Sequence, residues 1–339
     1  MARTASPSRL AALAAGAIVV ALALTGCVAG EDAPAASPDA DGGTATTVAI
    51  DWATYNPLSI VIRDQGWLED EGYDVEWTQS LGSSAANEAL RAGAIDFGST
   101  AGSAALLARA NGAPQQIVSV VAQPEWASIV TPEGSDVTSV EDLRGRTIAA
   151  ALGTDPYFFL VQSLEQAGLS IDDVTVENLA HADGWAALQG GSVDAWAGLD
   201  PITATAEAAG ATILATDLSL NSFSVLNASE EVIEADPELV QTVVDLYERA
   251  RAWALEHPED MAALLAEAAA IEPSVAQTVI DEREGLDVSG VPGDELLSVL
   301  EPIGAIQVEI GDVASQDAVD AALDTLLAPE FAQQAVDAG

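Results

Sequence analysis

The sequence predicts an α/β protein of two lobes, with mostly parallel sheets, helices on both faces and a ligand cleft between the lobes. Three observations carry that expectation. Strand-like and helix-like segments alternate through the first part of the body, as in βαβ units. The same run of segments then returns about a hundred residues later. The pattern also crosses twice between the two copies, which makes a hinge, and a hinge between lobes makes a cleft.

The first segment reads as an address. Arg3 and Arg9 precede an apolar run of about 15 residues, Leu10 to Leu24, short for a membrane span and suited to a signal-peptide core. It ends in Leu24-Thr25-Gly26-Cys27, which resembles the lipobox of bacterial lipoproteins, and Cys27 is the sole cysteine. The resemblance implies a signal peptide over residues 1–26, cleavage before Cys27 and diacylglycerol on its thiol. A plain secreted protein with an incidental cysteine is the alternative. One cysteine allows no internal disulfide. Residues 27–45, mostly Ala, Pro, Asp, Gly and Ser, then form a flexible tether. No later stretch is long and apolar enough to span a bilayer, so the body is expected outside the cytoplasm, lipid-anchored to the cell membrane.

Composition bounds the chemistry. Acidic residues number 54 and basic ones 10, for a net charge of −44. Such a surface repels a phosphate backbone, so nucleic acid is excluded as a partner. Every basic residue is Arg, and without Lys no lysine Schiff base forms. At 49% apolar residues the chain has ample material for a core. The acidity is also of the kind met in proteins of saline habitats.

The body starts at Thr46. Val48 to Ile50 is a strand, Asp51 to Pro57 a loop, and Leu58 to Leu68 a helix that Gly72 stops. Tyr73 to Trp77 alternates as a strand, Ser84 to Arg91 is a helix, and Ile95 to Phe97 a short strand. In the second copy Thr147 to Ala150 is the strand, Gly153 to Pro156 the loop, Tyr157 to Ala167 the helix and Val174 to Glu177 the next strand. Ala89 to Asp96 (ALRAGAID) is answered 98 residues on by Ala187 to Asp194 (ALQGGSVD), and Gly112-Ala113 by Gly210-Ala211. Ser222 to Asn227 reads as a strand returning from the second lobe. Helices follow at Pro237 to Leu255, Pro258 to Ala269, Pro273 to Arg283, Asp294 to Ile303 and from Ser315, the first three with proline in the first turn. The expected division is lobe 1 over 46–131 plus 226–310, lobe 2 over 132–225, and a C-terminal helical extension over 311–339. The crossings fall near 131–137 and 221–226.

Four stretches carry a family resemblance: Ala89 to Phe97 (ALRAGAIDF), Ser139 to Ile148 (SVEDLRGRTI), Gly191 to Trp196 (GSVDAW) and Asp200-Pro201. Over roughly residues 46–270 the chain resembles the solute-binding proteins of ABC importers for alkanesulfonates and taurine. The broader kin bind nitrate, bicarbonate or thiamine pyrimidine precursors. The resemblance implies the type 2 periplasmic-binding-protein fold, closure on a small solute, and docking on a permease with its ATPase subunit. A monomer is expected. Leu199 and Ile202 stand where the family usually has aromatics beside Asp-Pro, a departure at the usual sulfonate contacts.

In open α/β sheets the binding crevice lies at the carboxyl ends of the strands. Three loops satisfy that rule. One holds Trp52, Tyr55 and Asn56; the second, after Phe97, holds Ser99, Thr100 and Gly102; the third holds Gly153, Thr154, Asp155 and Tyr157. The last two combine small residues, hydroxyls and a helix start, which suits a sulfonate. Asp155 before Pro156 has two roles open to it, helix cap or ligand contact with an amine. Ser99, Thr100 and Asn56 share the capping alternative. Trp126, Trp196 and Asp200 complete the candidate set, the aromatics as walls for an apolar tail, with core packing as their alternative.

His181 and His257 stand far apart with no ligand partners at metal spacing, so no metal site is expected. No nucleophile elbow, P-loop or dinucleotide fingerprint occurs, and no cofactor is expected. The expected function is reversible binding of an aliphatic sulfonate or taurine for import. Alternatives are a pyrimidine, a nitrate-like anion or another small solute. An enzyme on the same fold, or a lipoprotein that only presents a ligand, stands further back.

Overall fold

A computed structural model describes residues 46–338. The expected signal peptide, Cys27 and the tether lie outside the described residues. The first sheet begins with β1 (Thr47–Trp52), followed by α1 (Pro57–Gln65) and α2 (Trp67–Asp70). The expected single helix through Leu68 is two helices, because Gly66 takes a left-handed conformation (φ 65°) and ends the first turn series. Then come β2 (Asp74–Gln79), α3 (Ser83–Arg91), β3 (Phe97–Ala101), α4 (Gly102–Ala110) and β4 (Gln115–Ala122).

The chain then crosses to a second sheet. It adds β5 (Ala127–Thr131), β6 (Thr147–Ala150), α5 (Asp155–Gln166), β7 (Thr175–Asn178), α6 (His181–Gln189), β8 (Ala195–Leu199), α7 (Ile202–Ala208) and β9 (Thr212–Ala215). It returns as β10 (Ser224–Ser229) and ends in seven helices. These are α8 (Glu230–Ala235), α9 (Pro237–Glu256), α10 (Pro258–Ala269), α11 (Pro273–Glu282), α12 (Asp294–Glu309), α13 (Gln316–Leu323) and α14 (Glu330–Ala338).

The two sheets have one topology. Their strand orders are β2-β1-β3-β10-β4 and β7-β6-β8-β5-β9. In each, the strand arriving from the other lobe is fourth and runs antiparallel to both neighbours. The sheets are therefore mixed, with parallel pairing confined to the first three strands.

The sequence echo has a physical basis in these pairings. Ile50 faces Phe97 in the first sheet, and Ile148 faces Ala195 in the second, each 98 residues on. The repeated Asp holds the start of the neighbouring strand. Asp96 accepts from the Ala49 amide at 3.0 Å, and Asp194 from the Thr147 amide at 2.9 Å. The repeated Gly93 and Gly191 both turn with positive φ, 64° and 68°, where a side chain would be strained.

Two expected boundaries move. β5 pairs with β8 and β9, so residues 127–131 belong to the second sheet, and the first crossing lies before β5, not near 131–137. The second crossing lies between β9 and β10, with Asn221 to Ser224 buried on the way. The helices after residue 311 are no extension. Val319, Ala322 and Leu326 pack with Leu106, Ile117 and Val120, and Phe331 and Ala332 pack with Val240 and Val244. Apolar residues at these spacings on α13 and α14 have no stable home except against the first lobe. From α12, Ile303 and Ile306 reach the core of the second lobe beside Phe158.

Candidate functional site

A cavity of about 270 Å3 lies where the strand ends of the two sheets meet. From the first lobe, Thr54 and Tyr55 follow β1, and Ser80 and Leu81 follow β2. From the second, Ala180 to Asp183 form the start of α6 after β7, Leu199 ends β8, and Asp200 to Ile202 follow it. Walls from both sheets meet at their carboxyl ends, where open α/β sheets bind ligands.

Of the expected site residues, Tyr55 and Asp200 line this cavity. Tyr55 donates its hydroxyl to the Ser99 carbonyl at 3.0 Å, and its ring meets Trp126 edge-on at 6.3 Å. Asp200 accepts from the Thr203 hydroxyl, from the Ala204 amide at 2.9 Å and from Arg283 at 3.2 Å. Burial pushes its carboxyl up, and the Arg283 guanidinium pulls it back. The Asp200–Pro201 peptide is cis.

The second expected loop is strand. β3 runs on to Ala101, so Ser99 and Thr100 are interior to the sheet between β1 and β10. Their hydroxyls are engaged there. Ser99 donates to Asp51 at 2.8 Å and accepts from Asn56 Nδ2 at 2.8 Å. Thr100 accepts from Asn227 Nδ2 at 2.8 Å. Gly102 opens α4 under Leu296 and Leu300, too close for a ligand. Asn56 also reaches the Tyr247 hydroxyl at 3.3 Å. These residues form a buried polar frame beneath the cavity, not its wall. Asp51 is its centre, taking the Ser99 amide at 2.9 Å as well, and burial pushes its carboxyl up to about 6.

In the third loop Thr154, Asp155 and Tyr157 are committed elsewhere, and Gly153 lines a separate hollow with Ser84, Asn87 and Leu152. Asp155 is neither simple cap nor cavity lining. Its Oδ2 accepts from Trp126 Nε1 at 2.7 Å and the Ser222 amide at 2.9 Å. Its Oδ1 accepts from the Ser103 and Ser222 hydroxyls at 2.6 and 2.7 Å. Trp126 sits on one crossing, Ser222 on the other, and Ser103 on α4 of the first lobe, so this carboxylate ties the hinge. Thr154 turns its hydroxyl to the Ala151 carbonyl at 2.6 Å. Gly153 approaches Leu107 across the lobe interface, and Tyr157 is buried beside Phe158.

Trp52 and Trp196 leave the site for different reasons. Arg63 stacks its guanidinium over the Trp52 ring at 3.8 Å, beside α10 residues rather than at the cavity. Trp196 lies within β8, an interior strand, and is fully buried. Its ring fills space that only Gly184 and Gly198 leave open; a Cβ on either would come within 2.6 Å of it. Its truncation is a core deletion, contrary to the expectation of a binding contact.

The cavity is also lined by Ser80, Leu81, His181 and Asp183, which the sequence does not single out as binding residues. Extending the strand-end rule to the strands ending at Gln79 and Asn178 points to most of them. His181 was weighed only as a metal ligand. It is 5% exposed, neither ring nitrogen has a partner among the described residues, and burial holds its imidazole down at about 4.

Paired sheets of one topology, joined by two crossings and enclosing a cavity at their strand ends, define the class of two-lobed periplasmic binding proteins. Solved structures of that class match. The alkanesulfonate-binding protein SsuA from Xanthomonas axonopodis pv. citri, bound to MOPS, has a TM-score of 0.76 at 24% identity, over 82% of this chain and 97% of that one. The periplasmic aliphatic sulphonate binding protein SsuA from Escherichia coli gives 0.73 at 26% identity, over 84% and 93%. In sequence, an Escherichia coli (strain K12) protein assigned to aliphatic sulfonates binding is 30% identical over 242 residues, 70% of this chain and 73% of its own. The pattern of the NMT1/THI5-like family matches residues 57–261, and the chain belongs to that family. The fold also carries an enzyme, the desulfurization enzyme DSZB, with a TM-score of 0.65 at 17% identity.

Proposed function

We propose that this protein is the extracytoplasmic, lipid-anchored substrate-binding component of an ABC importer, taking an aliphatic sulfonate or taurine by clamshell closure. The observation that carries the reading is the cavity walled by the strand ends of both sheets. A solute held there touches both lobes, so its binding energy favours the closed arrangement over the open one. A closed, loaded form is what a permease and its ATPase subunit would receive. The volume suits a small solute, and the walls combine Leu81, Leu199 and Ile202 with a few polar groups, as a short alkyl tail with a polar head requires. The relatives assigned to sulfonates support the ligand class. The Cys27 motif supports the anchor.

Calorimetry with alkanesulfonates, taurine, nitrate and a thiamine-precursor pyrimidine tests the ligand. The expected result is saturable one-to-one heat with a sulfonate or taurine and recovery of the compound unchanged. Heat only with nitrate or the pyrimidine moves the protein to that ligand class, and turnover makes it an enzyme. Mass spectrometry of the membrane fraction should find the lipid on Cys27, and Cys27→Ser should release the protein.

A further inference from the structure

We propose that His181 and the amino terminus of α6 form an anion subsite in the cavity, which takes the charged head of a small sulfonate or comparable oxoanion. The subsite rests on the reading of the cleft as the solute site. Helix α6 has nine residues and starts at His181, and no side chain caps its first turn. Its leading amides lack intrahelical acceptors, and the dipole end favours negative charge. Ala180 to Asp183, the residues that carry this end, all line the cavity.

The second observation is independent. The His181 imidazole is buried, lines the same cavity, and leaves both ring nitrogens without a hydrogen-bond partner among the described residues. A buried imidazole without a protein partner costs stability, so a partner from the ligand is the simplest compensation. Neutral imidazole offers one N–H donor, and an oxoanion accepts it. The ring also meets the other lobe. A Cβ at Gly82, just after β2, would lie 3.4 Å from both Cδ2 and Nε2 of His181, so the first lobe's lip rests on this ring. A head group bound by His181 is thereby covered from the opposite side.

The charges around the cavity fit recognition by donors rather than ion pairing. No Arg lines it. Asp200 is spoken for by Arg283, Thr203 and the Ala204 amide. Asp183, in the first turn of α6, is exposed to water, which weakens its repulsion.

The chain has two histidines, and His257 lies half-exposed at the α9–α10 junction, so it serves as an internal reference. Long-range 1H–15N spectra with ethanesulfonate as the probe should move the His181 imidazole signals and leave His257 in place, with the same midpoint as the calorimetric titration. His181→Ala should weaken ethanesulfonate binding about tenfold or more, the size of one net hydrogen bond, while His181→Gln, which keeps an N–H donor, recovers much of it. Ethanesulfonate binding with unmoved His181 signals, or undiminished affinity in His181→Ala, overturns the subsite and leaves the sulfonate reading standing. Absence of binding by any sulfonate overturns both. If His181→Ala does not fold, the spectra of the unaltered protein decide alone.

Discussion

The Asp155 carboxylate takes four hydrogen bonds from three separate parts of the chain, and two of the donors, Trp126 Nε1–H and the Ser222 amide, cannot turn round to accept. Asp155→Ala orphans both and should destabilise by about 3 kcal/mol, read by urea unfolding. Asp155→Asn should cost less, because the two serine hydroxyls can rotate to accept from the new amide. The pH dependence of stability tests two other buried groups. His181 is held at about 4 against an ordinary 6.5, so the unfolded chain takes its proton first and stability is lost as pH falls from about 6.5 to 4. Asp51, raised to about 6 from 3.8, works oppositely: its contribution is present below about 3.8 and lost as pH rises through about 6. The two offset one another in the intact protein. Relative to it, the melting temperature of His181→Gln should improve on going from pH 7 to 4.5, and that of Asp51→Asn on going from pH 4 to 7.

Among the elements, those with strong local signals were legible in the sequence. Proline in the first turn located α9, α10 and α11, since its missing N–H has no intrahelical partner to lose there. The 98-residue echo foretold two sheets of one topology, because the repeated Asp and Gly hold strand starts and turns. What stayed hidden was set by long-range partners. Gly98 to Ala101 reads as a loop because its residues are small and hydroxylated. It is a strand because β1 and β10 flank it and Asp51 and Asn227 satisfy its hydroxyls. The site followed suit: the strand-end rule reaches Tyr55 and the family resemblance at Asp200-Pro201 reaches Asp200, while Ser99 and Thr100 are displaced because their strand runs on to Ala101. The C-terminal helices are a further case, being inseparable from the first lobe. Deleting residues 330–339 removes Phe331, Ala332 and Ala335 from the core and should cost about 3 kcal/mol, visible as a lowered melting temperature.

For the whole molecule the net charge of −44 is the governing quantity. Two of its few cations are held inside the fold: Arg251 is buried and donates to the Val120, Val121 and Leu286 carbonyls, and Arg283 spans Asp200 and Glu207. Self-repulsion among the remaining carboxylates should outweigh these pairs. Raising sodium chloride, which shortens the screening length from about 10 Å at 0.1 M to about 3 Å at 1 M, should therefore raise the melting temperature and quicken capture of an anionic ligand. Loss of stability with salt would mean that the ion pairs dominate instead.

The first sheet takes its fourth strand, β10, from beyond the second lobe, and its core takes side chains as late as Ala335. The second sheet uses a single unbroken stretch, β5 to β9. The part of the chain that emerges first is thus the last able to finish folding, inverting the usual N-terminal-first order. In pulse-labelled refolding, amides of β6 and β8 should gain protection before those of β1 and β3. If the chain is exported as proposed, the delay would serve it: the leading half would stay threadable until its tail had come through.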